Sequence, residues 1–173
     1  TTPEVEVNMW FARTLGFDGL TPPPRVASCE DSSIAGDYIV IAPGVQRSNP
    51  VWLKKMYPYW DVVCDALSKV NIVVVGSPAD DTPEWESCTS LCGKTSMWEL
   101  SGVLRKARVV VGADNGPTCL AAAIGSPTVV LWGPTSEIKN RKYGPCVVNL
   151  FSSVLCRPCQ FRPQEFSECQ SGA

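Results

Sequence analysis

VVVGADNGPTCLAAAIGSPTVVLWGPT, from Val109 to Thr135, contains in order an apolar strand, a glycine-rich acidic turn, a helix of small residues, a second apolar strand and a second glycine turn. Strand-helix-strand in so short a span predicts two parallel neighbours joined by one crossover. The carboxyl ends of both strands, and the amino end of the helix, then fall at the same sheet edge, where open α/β folds bind ligands. A helix start carries about half a positive charge and unpaired amides, so an anion is the natural occupant.

The pattern extends in both directions. Asp37 to Ala42 (DYIVIA) predicts a strand ended by Pro43-Gly44. Trp52, Met56, Trp60, Val63, Leu67 and Val70 recur at three- and four-residue intervals, which predicts a helix over Pro50 to Lys69, broken or kinked at Pro58. Asn71 to Gly76 (NIVVVG) has the continuous β-branched character of a strand covered on both faces, and a polar loop, Ser77 to Pro83, follows. Ser96 and Glu99 form a capping box before an apolar stripe of Met97, Leu100, Val103, Leu104 and Ala107. Further strands are expected at Arg108 to Gly112, Thr128 to Trp132 and Cys146 to Leu150, with a helix at Gly116 to Ile124. Near the start, Val7, Trp10, Phe11 and Leu15 suggest a short amphipathic helix stopped by Gly16 and Gly19, and Thr21-Pro22-Pro23-Pro24 is stiff and extended. The alternation defines the α/β class: a doubly wound, mainly parallel Rossmann-like sheet with right-handed crossovers. A chain opening this way, without an initiator methionine, reads as part of a longer protein.

Composition excludes several functions. A length of 173 residues suits one domain, and a net charge of −2 offers no basic excess for nucleic acid. No apolar run approaches the roughly 20 residues that cross a bilayer, and no export signal is visible, so a soluble chain is expected. The sequence has no histidine, which removes Ser-His and Cys-His nucleophile pairs and imidazole acid-base chemistry. Its nine cysteines cannot all pair within the chain. Cys64 and Cys119 sit in apolar segments and read as buried reduced thiols, which favours a reducing cytoplasm.

Three turns could carry chemistry. In Gly112-Ala113-Asp114-Asn115-Gly116-Pro117, either Asp114 or Asn115 can cap the helix containing Thr118, and Gly116 permits close approach of a ligand. Taken alone, this turn reads equally well as a capped helix without a ligand. Gly133-Pro134-Thr135-Ser136, after the neighbouring strand, adds hydroxyls and amides and favours binding. Pro43-Gly44-Val45-Gln46-Arg47-Ser48 ends the first strand at the same edge, and Arg47 offers charge for a phosphate. Together these describe a nucleoside-diphosphate site. It is neither a G-x-G-x-x-G fingerprint nor a P-loop, and Gly93-Lys94-Thr95 reads as an ordinary helix start.

GKTSMWELSGVLRKARVVVGADNGPTCLAAAIGSPTVVLWGPTS, residues 93–136, resembles the donor-binding half of the ADP-heptose:lipopolysaccharide heptosyltransferases, glycosyltransferase family nine. Members carry a G-x-T-S/T helix start, a D-S/T-G-P-x-H-L-A-A-A loop and helix, and an F-G-P-T turn. IAPGVQRSNPVWL and NIVVVGSPAD are similar to that family's phosphate loop and second strand, and Cys156-Arg157-Pro158-Cys159 to a C-x-P-C element. The resemblance, over roughly Asp37 to Cys169, implies one half of a GT-B fold and an enzyme that transfers a heptose-like sugar, with inversion, from a nucleoside-diphosphate sugar to a lipopolysaccharide-type acceptor. It implies donor contacts from Asp114, Asn115 and Gly116 and phosphate contacts from the Gly44 to Ser48 loop; with the turns read above, the candidate nucleotide-sugar site is Gly44, Gln46, Arg47, Ser48, Asp114, Asn115, Gly116, Thr118, Gly133 and Thr135. No cofactor is implied besides the donor substrate. The acceptor and the catalytic base would come from an N-terminal domain or partner chain, and no residue here can be assigned as the base. The expected location is the cytoplasm, including peripheral attachment at the inner face of a bacterial membrane. Residues 1–24 then form a leading helix and proline-rich linker, 25–150 the nucleotide-sugar-binding domain and 151–173 a cysteine-rich tail.

Cys119 stands where the family has histidine, and the lysine common before the tryptophan of the phosphate loop is absent, Pro50 and Val51 lying there instead. The segment therefore supports nucleotide-sugar binding better than transfer, and a stand-alone, non-catalytic binding or assembly domain is the alternative. Cys156, Cys159 and Cys169 form C-x2-C-x9-C, and Cys88 and Cys92 form C-x3-C; a zinc or redox module is a third class. The spacing is incomplete for four-thiolate zinc, and a tail of packed thiols or a disulfide fits it better. Glu137, Lys139, Arg141 and Lys142 read as a solvated helix face, and the tryptophans as core, with Trp132 the one to consider for stacking on a base.

Overall fold

A computed structural model describes residues 2–32, 34–45, 50–78, 85 and 88–160 of the chain. Among these, six strands form one sheet: β1 (Tyr38–Ala42), β2 (Asn71–Val74), β3 (Cys88–Ser90), β4 (Val110–Ala113), β5 (Thr128–Trp132) and β6 (Val147–Phe151). Every pairing is parallel, and the spatial order is β3-β2-β1-β4-β5-β6. The helices are α1 (Glu4–Thr14), α2 (Pro50–Leu53), α3 (Trp60–Ala66), α4 (Met97–Lys106) and α5 (Gly116–Ile124).

The central strand explains the architecture. All of β1, YIVIA, is buried, because α4 and α5 cover one face of the sheet and α3 the other. Tyr38, Val40 and Ala42 pack with Val103, Leu104, Val110 and Ala121, whereas Ile39 and Ile41 pack with Trp60, Cys64, Ile72 and Val74. The alternation within β1 thus divides two cores, and only an unbroken apolar run serves both. From β1 the chain winds outward through β2 and β3, then returns to the centre at β4 and winds the other way. The loops after β1 and β4 therefore diverge and leave a crevice above their carboxyl ends, the place such folds reserve for ligands.

Several sequence expectations are corrected. Pro50 to Lys69 is not one helix: α2 and α3 are short and separated by residues 54–59, because Pro58 cannot donate in a helical ladder. β3 was not anticipated, since Cys-Thr-Ser carries no apolar run; it pairs with β2 through Ile72 opposite Cys88. The last strand is Val147–Phe151, one residue later than expected. Met97 is exposed at the first position of α4, ahead of the buried positions Leu100, Val103 and Leu104. The predicted capping box is present, with Glu99 N donating to Ser96 Oγ (3.3 Å) and Ser96 N to Glu99 Oε2 (2.7 Å). The α1 helix forms and ends near Gly16 (φ +95°), but none of its residues is buried. No described helix is long and apolar enough to cross a membrane.

Candidate functional site

Asn115 holds the crevice together. It follows β4, and its Nδ2 donates to Ala42 O (2.9 Å) and Gly44 O (3.1 Å), the last residue of β1 and the loop beyond it. Its Oδ1 accepts from Thr118 N (3.2 Å), and Thr118 Oγ1 accepts from Asn115 N (3.3 Å), a reciprocal cap on α5. Thr118 is buried, and its methyl group lies where a Cβ on Gly112 would fall (2.8 Å), as does Ala42 O (2.8 Å). Glycine at 112 lets β1, β4 and the start of α5 approach to this distance.

That capping reduces the amides available to a ligand. Pro117 has no N–H, Thr118 N is bound by the cap, and Cys119 N bonds Asn115 O (3.2 Å). Within the first turn of α5, only the Gly116 N–H has no partner among the described residues, fewer open amides than the sequence suggests. Space is open around Gly116, where an added Cβ would meet nothing within 4 Å. Gly116 joins Gly44, Val45, Trp52, Lys55, Asn115 and Pro117 around a cleft of about 400 Å³.

Asp114 is turned to internal work. Its buried carboxylate accepts from Lys142 Nζ and from Asn140 Nδ2 (3.0 Å), and Lys55 Nζ lies 3.6 Å from Oδ2. Burial alone would raise the pKa of this carboxyl, but the two ammonium groups outweigh it and hold it below the ordinary aspartate value. Lys142 shows the converse: burial opposes its charge, yet Asp114, and after it the Cys119 thiol, keep its pKa above the usual lysine value. Lys142 is therefore no member of a solvated helix face. It is 9 % exposed, and its ammonium lies 5.2 Å from the centroid of the buried Trp132 ring. Cys119, expected to be buried, is exposed beside it. It sits in the first turn of α5, next to Thr118, which takes the core-facing position.

The second turn is closed by the chain that follows β6. Arg157 Nε donates to Gly133 O (2.7 Å), and its Nη2 approaches Thr135 O (3.3 Å) and Glu137 Oε2 (3.1 Å). Cys159 N bonds Pro134 O (3.0 Å), and Ser136 N donates to Gln160 Oε1 (2.8 Å). Thr135 is buried, and its hydroxyl has no partner among the described residues. Gly133 lines a second, more apolar cavity of about 580 Å³ together with Tyr57, Trp132, Phe151 and Arg157, and Lys55 borders both cavities. Trp132 Nε1 donates to Asn149 Oδ1 (2.7 Å), which ties the ring to β6.

Gln46, Arg47, Ser48 and Cys169 lie outside the described residues. Of the other site candidates, the structure brings Gly44, Asn115 and Gly116 into one cleft, puts Asp114 and Thr118 beneath it, and sets Gly133 and Thr135 against the tail. Among the described residues no group of three or more cysteines and carboxylates could hold a metal ion. Burial and the hydrogen-bonded Cys88 push the Cys64 thiol up to about 12, so it remains a protonated core residue. Sequence reasoning missed Lys55 and Lys142. Both lie in short connections without periodicity, and only the return of those connections to Asp114 reveals them.

A parallel, doubly wound sheet with a polar cleft at its β1/β4 switch point is the Rossmann-like α/β architecture found in one half of a GT-B fold. The sequence model described as glycosyltransferase family 9 (heptosyltransferase) matches residues 19–169, and the chain belongs to that family. Lipopolysaccharide heptosyltransferase 1 of Pseudomonas aeruginosa is 39% identical over 140 residues, which cover 75% of this chain and 38% of the relative. A family 9 glycosyltransferase from Veillonella parvula superposes with a TM-score of 0.72 at 16% identity, covering 95% of this chain and 54% of that one. Escherichia coli heptosyltransferase WaaC, solved with ADP, gives a TM-score of 0.60 at 20% identity over 94% of this chain and 54% of that one. The chain spans less than half the length of the curated relatives it matches.

Proposed function

We propose that this chain is the donor-binding half of a glycosyltransferase, holding a nucleoside-diphosphate sugar in the β1/β4 cleft for transfer of a heptose-like sugar to a lipopolysaccharide-type acceptor. The observation that carries this reading is the convergence of Gly44, Asn115, Gly116 and Lys55 on one cleft at the switch point. An open amide and an ammonium group suit a diphosphate, whose charge grows as the glycosidic bond breaks, so the same groups that bind the donor favour the departing nucleotide. ADP is the first nucleotide to test, because a related heptosyltransferase was solved with it. Lysine charge takes the part a metal ion plays elsewhere, so chelation with EDTA is expected to leave binding unchanged. The acceptor and the base that deprotonates it belong to an N-terminal half or partner chain, and displacement at the anomeric carbon is a single inverting step. Contact with the inner membrane face would follow from the acceptor.

Two observations favour a second reading, a binding or assembly domain without catalysis: Cys119 in place of the family's histidine, and the engagement of Asp114 by its own lysines. Calorimetric titration with ADP, UDP and GDP tests both readings. Micromolar to sub-millimolar binding of one nucleoside diphosphate supports the donor site. Absence of binding by all three at millimolar concentration removes it and leaves the assembly reading.

A further inference from the structure

We propose that Cys64 and Cys88 form a paired modification site, two thiols placed to join as a disulfide that ties α3 to the outermost strand β3 when a small disulfide oxidant reaches them. The pair does not depend on the donor-site reading. Its members come from two elements: Cys64 lies in α3, and Cys88, 24 positions later as 88 less 64, opens β3. The register sets Cys88 opposite Ile72, so its side chain shares the sheet face of Ile72 and Val74, the face that α3 covers with Trp60 and Cys64. There the two thiols are hydrogen-bonded to each other. Sulfurs in such contact need only side-chain rotation, without movement of the backbone, to reach bonding distance.

The surroundings decide which thiols pair and in what order. Cys64, Cys88 and Cys92 all belong to the apolar cluster on this face. Cys92 is engaged elsewhere, since its thiol donates to Val74 O (3.7 Å) at the end of β2. Cys64 is 2% exposed and sealed in the core, whereas Cys88 is half-buried in a strand that has a neighbour on one side only among the described strands. An oxidant therefore meets Cys88 first, and Cys64 completes the bond from within.

The chemistry is thiol–disulfide exchange in two steps. The Cys88 thiolate attacks one sulfur of a low-molecular-weight disulfide, RSSR, which gives Cys88–S–SR and releases RS⁻. The Cys64 sulfur then attacks the Cys88 sulfur, the second RS⁻ departs, and the Cys64 proton goes to it. Two protein thiols and one RSSR thus become one protein disulfide and two RSH, with two electrons passing to the reagent. Burial first, and the neighbouring Cys88 after it, keep the Cys64 thiol protonated, so the pair rests reduced and the second step is slow. Capture of Cys88 as a mixed disulfide removes its charge from beside Cys64. The finished bond closes the loop 64–88, which contains β2, and fixes the edge of the sheet to the helix above it.

The experiment incubates the whole chain with oxidised glutathione at mildly alkaline pH, and a parallel sample with dithiothreitol, then alkylates the remaining thiols and digests with trypsin. Peptides 56–69 and 70–94, which carry Cys64 and Cys88, should appear as one linked species in the oxidised sample, with fragmentation placing the bond at Cys88 and not at Cys92. Closing the loop restricts the unfolded chain, so the thermal midpoint should rise by roughly 5 °C or more and return on reduction. Cys88→Ser should abolish both the linked species and the rise, whereas Cys92→Ser should keep both. The peptide map of the wild type needs no variant to fold. Peptides that stay separate after prolonged oxidation, a bond from Cys64 to any other cysteine, or a linked chain whose midpoint falls would each overturn the pairing.

Discussion

Asn115 and Asp114 are adjacent, yet their substitutions should fail differently. Asn115→Asp can still cap α5, but a carboxylate cannot donate to Ala42 O and Gly44 O and would face both carbonyls. Loss of two donors to part-buried acceptors is expected to cost about 2 kcal/mol, which in a domain of this size lowers the midpoint of thermal unfolding by roughly 4–8 °C. Calorimetry would show it, and an unchanged midpoint would mean that the β1 loop is held by something else. Asp114→Asn leaves Lys142 buried beside a neutral amide, at a cost of about 3 kcal/mol. The depressed pKa of Asp114 means its share of stability is present above the ordinary value of 3.8 and fades as pH falls through its lower native value. The raised pKa of Lys142 means its share is present below 10.5 and fades as pH rises past that value. The stability gap between wild type and Asp114→Asn, measured by urea unfolding, should be widest around neutral pH and narrow toward acid and toward alkali as Asp114 and Lys142 lose their charges. A gap that widens toward acid would contradict the ion pairing.

At the scale of elements, the turn after β5 shows how sequence and structure part company. Gly133 to Ser136 has the glycine and hydroxyls of a ligand loop, but its carbonyls and the Ser136 amide are bonded by Arg157, Cys159 and Gln160. Arg157→Ala should therefore loosen the chain after β6 and increase amide exchange at Ser136 and Cys159, while affinity for ADP changes less than twofold; a tenfold loss would return this turn to the binding site. Strands and caps were legible because each is written in neighbouring residues: YIVIA and NIVV by their apolar runs, Ser96 with Glu99 by spacing, and the α5 cap as far as Asp114 or Asn115, of which the structure uses Asn115. Lys55, Asn140 and Lys142 were not, because they meet Asp114 across 59, 26 and 28 positions of chain, as 114 less 55, 140 less 114 and 142 less 114. Periodicity holds no information over such separations. The charged run from Glu137 to Lys142 looked solvated for the same reason: net composition cannot show that one lysine turns inward.

At the scale of the whole molecule, the sheet and its two cores stand without α1. None of the α1 residues is buried; Trp10 and Phe11 are 60% and 73% exposed, and Glu4 N bonds Lys139 O (3.0 Å), a backbone link from this helix to the sheet domain. Phe17 and Leu20, beyond the helix, are exposed as well. Removing residues 1–20 should accordingly shift the thermal midpoint by no more than a few degrees, because the fold loses little buried apolar area. It should also lower binding of a hydrophobic dye such as bis-ANS, because the exposed aromatic face is gone. A fall of ten degrees or more, or a rise in dye binding, would instead make α1 an integral layer of the domain.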